Sequence, residues 1–187
     1  MCNDAGWRID QWRGGSPSVG APGPERPAAP AGKTAVGQVD HGDRTAAVHK
    51  SLEFPDLLRL IDDRATAFRA VIASAPSLDV QVPTCPEWTL FDLAQHLGQG
   101  RRFRAATIAA GPADAPPAEA VAERSAPAPR DREELLAWLE ATTRELLDAL
   151  RAADPDGSCW TGWGATQLTD TCGSVARHQV QEIAVHT

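Results

Sequence analysis

Tyrosine is absent from the 187 residues, methionine occurs once, and Lys33 and Lys50 are the only lysines in a chain rich in Ala, Arg, Pro and Gly. That bias looks like the coding preference of a GC-rich genome and excludes nothing about function. Other absences exclude more. The four cysteines, Cys2, Cys85, Cys159 and Cys172, include no C-x-x-C pair, which argues against a zinc ribbon and against a dense disulfide framework. Buried free thiols are the expected state. The first thirty residues contain no continuous apolar run of a secretory signal, and no later segment approaches the roughly 20 apolar residues of a membrane span. Excess positive charge is missing too. A formal net charge of −7 repels nucleic acid and anionic lipid, so neither is an expected partner. The expectation is a cytoplasmic protein.

Residues 1–50 have no apolar periodicity; Gly, Pro, Ala and charge dominate, a composition that buries too little surface to offset its ordering entropy. The expectation there is a disordered N-terminal tail, or translated sequence upstream of the true start. Residues 51–187 are expected to form one all-α unit, and no stretch alternates with period two, so few or no strands are expected. Phe54, Leu57, Leu58, Ile61, Ala65, Phe68 and Ile72 recur at helical spacing, with Pro55 suited to a first turn and Pro76 closing the segment. Thr89 followed by Asp92 has the form of a capping box ahead of the stripe Leu90, Leu93, Ala94 and Leu97. The proline-rich run "GPADAPPAEAVAERSAPAPR" reads as a long connection. Asp131 and Glu134 repeat the capping pattern ahead of Leu135, Trp138, Leu139, Thr142, Leu146 and Leu150. After the loop-like "SCWTGWG", a fourth helix runs from about Asp170 to the end. Four such helices make an antiparallel four-helix bundle.

Facing helices of a bundle can bring ligands together in its core. On a helical wheel Val175, Gln179, Glu182 and His186 share one face, so two ionisable groups lie on a stripe that should turn inward. A buried carboxylate needs a pairing partner or a cation. His96 sits at the edge of the second helix's apolar stripe, and if that helix neighbours the fourth it completes a His, Glu, His set. Zinc accepts those ligand types, and three protein ligands leave a position open, as catalytic zinc sites do. His178, one turn before Glu182, competes for the same role. The plainer alternatives are a core-edge histidine at 96 and a surface i, i+4 pair at 182 and 186, worth a few tenths of a kcal/mol.

"VPTCPEWTLFDLAQHLG" resembles the segment that opens the second helix of the mycothiol-dependent maleylpyruvate isomerase family, a DinB-like branch of four-helix metalloproteins. "CWTGWG" and "ARHQVQEIAVHT" resemble that family's Trp-rich turn and its final motif helix. The resemblance covers residues from about Glu53 to Thr187 and implies a divalent metal, usually zinc, held by His96, Glu182 and His186. It also implies a low-molecular-weight thiol, mycothiol in actinobacteria, that binds the metal as thiolate. That thiolate adds to a small electrophile, in an isomerase or an S-transferase. Arg177 matches a motif position and is a candidate for an ion pair or for contact with an anionic substrate. Trp88, Trp160 and Trp163 are expected to pack and turn the chain. Relatives often continue past the final histidine, where this chain stops at Thr187, so the family's C-terminal region is expected to be missing. A noncatalytic metal-binding or interaction bundle is the alternative. A homodimer is compatible with the pattern, but nothing in the residues requires one.

Overall fold

The structure, a computed structural model, describes residues 52–163 and 170–186. The disordered tail expected over residues 1–50 lies outside the described residues, as do the side chain of His186 and all of Thr187. The described chain is mostly helical. Its elements are α1 (Phe54–Ser74), β1 (Gln81–Val82), β2 (Cys85–Thr89), α2 (Leu90–Ala110), α3 (Ala118–Ser125), α4 (Arg132–Ala152) and α5 (Cys172–His186).

The helices read from periodicity are α1, α2, α4 and α5. Leu57, Ile61, Ala65, Phe68 and Ile72 of α1 are buried, as the spacing demands. Thr89 caps α2 by the expected reciprocal bonds: its Oγ1 accepts from Asp92 N at 3.2 Å, and Asp92 Oδ2 accepts from Thr89 N at 2.9 Å. Asp131 caps α4 by accepting from the backbone N–H groups of Glu133 and Glu134.

The expectation of a structureless proline-rich connection needs correction. The proline-rich connection contains the eight-residue helix α3, which docks on α2 through fully buried Ala120. A small antiparallel sheet, β1 with β2, precedes α2 with Gln81 paired to Thr89. Its backbone continues into the helix entry, where Leu90 N donates to Val80 O and Phe91 N to Leu78 O. Neither element buries enough of its own sequence to show a period. Among the cysteines, Cys159 and Cys172 are free and buried as expected, whereas Cys85 is buried but disulfide-bonded.

The four long helices close a ring in which α1 packs on α4 and α5, and α2 packs on the same two. Two buried clusters fix their directions. Leu57 and Ile61 of early α1 meet Ile108 of late α2, Leu147 of late α4 and Val175 of early α5. Phe68 and Ile72 of late α1 meet Phe91 and Leu97 of early α2 and Leu135 of early α4. Helices α1 and α5 thus run one way and α2 and α4 the other, so the bundle is not antiparallel throughout. Parallel neighbours need a connection that returns the length of a 21-residue helix, about 31 Å, and residues 111–131 supply it. Arg132 at the start of α4 donates to the carbonyls of Ile72 at 3.1 Å and Ala75 at 2.5 Å, satisfying orphan acceptors at the end of α1.

Candidate functional site

Because α2 and α5 run in opposite directions, the second turn of α2 faces the later turns of α5, and this brings His96 to Glu182. Nε2 of His96 lies 3.7 Å from Oε2 of Glu182. The other carboxylate oxygen, Oε1, lies 3.3 Å from Nε2 of His178, one helical turn earlier on α5. One carboxylate thus stands between two imidazoles from two helices. Side-chain exposures of 29%, 26% and 21% for His96, Glu182 and His178 put the cluster at the edge of the core, where a small molecule can reach it.

An aromatic ring packs against each histidine. The Trp88 ring of β2 lies 4.9 Å from that of His96, tilted by 56°, and the Trp163 ring lies 5.4 Å from that of His178, tilted by 49°. Trp163 is placed by a tight turn. Thr161 bonds to Asp170 through its hydroxyl, accepts from Trp163 N at 3.3 Å, and gives its carbonyl to Arg104 Nη1 at 2.8 Å. Gly162 within that turn has φ +73°, a left-handed conformation in which a side chain is strained, and a Cβ there would meet the Trp160 ring at 2.7 Å. The tryptophans do turn and pack as expected, and two of them border the candidate ligands.

Two arginines interact electrostatically with the Glu182 carboxylate. Buried Arg104 stands over the Phe103 and Trp163 rings at 5.6 and 5.7 Å, and Arg124 of α3 stands over the Phe103 ring at 5.0 Å. Burial pulls Arg104 down to about 10, with the Glu182 charge acting in the opposite direction, so it stays cationic at neutral pH. Arg124 is lowered by burial and supported by Glu182 in the same way. Burial also holds the His178 imidazole below its ordinary value, opposed by Glu182 and reinforced by Arg104. The Cys159 thiol, buried beside Cys172, is pushed up to about 12 and is no nucleophile.

Of the expected ligands, the structure joins His96 to Glu182. His186 ends α5 one turn beyond Glu182, with its side chain outside the described residues. Arg177 is exposed, its guanidinium beside Gly173 of its own helix. Sequence reading did not find Arg104 and Arg124, since charged residues are rarely buried and α3 itself carried no periodicity. Two donors held by one tetrahedral zinc at about 2.0–2.2 Å stand about 3.4 Å apart. The 3.7 Å between His96 Nε2 and Glu182 Oε2 is within side-chain adjustment of that, so the pair fits zinc as two of its ligands. Among the described residues, no group of three His, Cys, Asp or Glu side chains is arranged to hold a metal.

The family model described as the mycothiol maleylpyruvate isomerase N-terminal domain matches residues 58–187. No curated protein and no solved structure matches the chain. The matched span contains nearly all of α1, the whole of α2 through α5, and with them His96, His178, Glu182 and His186. Across most of its length, then, this chain belongs to the mycothiol maleylpyruvate isomerase N-terminal domain family.

Proposed function

We propose that this protein is a metal-dependent enzyme of DinB-like four-helix architecture that uses a low-molecular-weight thiol, mycothiol, either to isomerise a small electrophile or to transfer the thiol to it. The observation that carries the reading is the meeting of His96 and Glu182, 3.7 Å apart, from helices far apart in sequence but within one matched family span. His96, Glu182 and His186 hold the metal, which is zinc. Zinc supplies a lowered thiol pKa, so that the nucleophile exists at neutral pH. The chain's own residues supply the setting. Arg104 and Arg124 place fixed positive charge beside Glu182, which offsets the carboxylate and favours an anionic thiol nearby. The Trp88 and Trp163 rings pack against the two histidines and hold them. No helix among the described residues is long and apolar enough to cross a membrane, and the net charge of −7 disfavours polyanions. The partners in this reading are small molecules, and its place is the cytoplasm.

The test is turnover of a cis-alkene electrophile by zinc-loaded protein with and without mycothiol. Consumption that requires both the thiol and zinc, and that His96→Ala abolishes, is the expected result. Thiol-independent turnover, or turnover that survives chelation and the substitution, contradicts the enzymatic reading. Zinc binding without turnover points to the noncatalytic metal-binding bundle.

A further inference from the structure

Glu182 is flanked on both oxygens, and the two contacts differ in origin. The Oε2 contact comes from His96 on another helix, at 3.7 Å, while the Oε1 contact comes from His178 on the same helix, at 3.3 Å. An i, i+4 pair on an α-helix meets through helix geometry alone, so the second contact does not depend on how α2 packs on α5. His178 is itself held. Trp163 packs against its ring, and the turn carrying Trp163 is tied to Thr161, Asp170 and Arg104.

We infer that His178 is a positioning residue: its Nε2–H donates to Oε1 of Glu182 and leaves Oε2 facing His96 as a metal donor. The inference rests on the metal reading above. A carboxylate with one unheld oxygen samples several rotations about its terminal torsion, and each wrong one removes a donor from the site. Ligating carboxylates are commonly fixed by such outer hydrogen bonds, and losing the partner typically costs metal affinity by 10–100-fold. A direct ligand role for His178 is less well supported. Its nitrogen sits on the oxygen opposite the one that faces His96, and the three groups do not converge as a metal site among the described residues. The contact requires a hydrogen on Nε2, which is inferred from the geometry.

Two substitutions separate hydrogen bonding from packing. His178→Gln keeps a nitrogen donor at similar reach but removes the ring from Trp163. His178→Phe keeps a ring against Trp163 but removes the donor. The readout is zinc affinity, by competition with a chromophoric chelator using zinc alone, on the full chain, with the helical spectrum as a folding check. The expected result is a Phe variant weakened roughly 10–100-fold and a Gln variant within about threefold of the unsubstituted chain. A Phe variant that binds as tightly as the unsubstituted chain, or a Gln variant weakened as much as Phe, overturns the positioning role and leaves the metal reading intact. Failure of the unsubstituted chain to bind zinc overturns the metal reading, and the positioning role with it.

Discussion

Single residues show where helical patterning was informative and where it was silent. Glu182 and His96 were readable because a carboxylate on an inward stripe needs a cationic partner, and the motif helices named the partner. The i, i+4 step between His178 and Glu182 was equally visible, yet spacing could not say which oxygen His178 takes; that depends on the α2–α5 approach. Arg101 and Arg104 were invisible as core residues. Arg101 is 3% exposed, donates to Thr143 Oγ1 at 3.0 Å, and is drawn down to about 10 chiefly by burial. Gly98 gives a direct test of close packing. A Cβ at that position would lie 2.0 Å from the Trp138 ring, where α2 meets α4. Alanine has the better helix propensity by about 1 kcal/mol, but displacing a packed indole costs about 1–3 kcal/mol. We expect Gly98→Ala to lower the melting temperature; an equal or higher value would show that the ring moves freely.

At the scale of elements, caps and stripes decided most boundaries. The Thr89–Asp92 box starts α2 two turns before His96, so its strength also bears on the site. Replacing Thr89 with Ala should destabilise the fold by about 1 kcal/mol at neutral pH, measured by urea unfolding. The Thr89 hydroxyl and backbone N–H hold the Asp92 carboxyl below its ordinary 3.8. A carboxyl lowered in the folded state stabilises fully above the unfolded value and loses that contribution as pH falls through the folded one. The stability gap between the unsubstituted chain and Asp92→Asn should therefore be present at pH 6 and shrink as the pH falls below 3.8. A gap that is constant down to strong acid would remove the charge from the account of this cap. Helix α3 escaped sequence reading because Ala120 is its only buried residue, and one small side chain gives no period. Strands of two and five residues are likewise set by the backbone bonds around Leu78 and Val80, not by their own alternation.

For the whole molecule, four amphipathic helices were enough to predict a bundle, but not its directions. Stripes tell which face is buried and say nothing about which end of a neighbour it meets. The long connection between α2 and α4 was the one clue, and its physical reason is that parallel neighbours cannot be joined by a tight turn. That arrangement sets α5 antiparallel to α2 and brings Glu182 back to His96. Zinc binding tests this account most directly. Purified protein titrated with zinc, alongside His96→Ala and Glu182→Ala, should hold about one ion per chain, and both variants should bind at least tenfold more weakly. A folded chain that takes up no zinc, or binding that both substitutions leave unchanged, would contradict the proposed site.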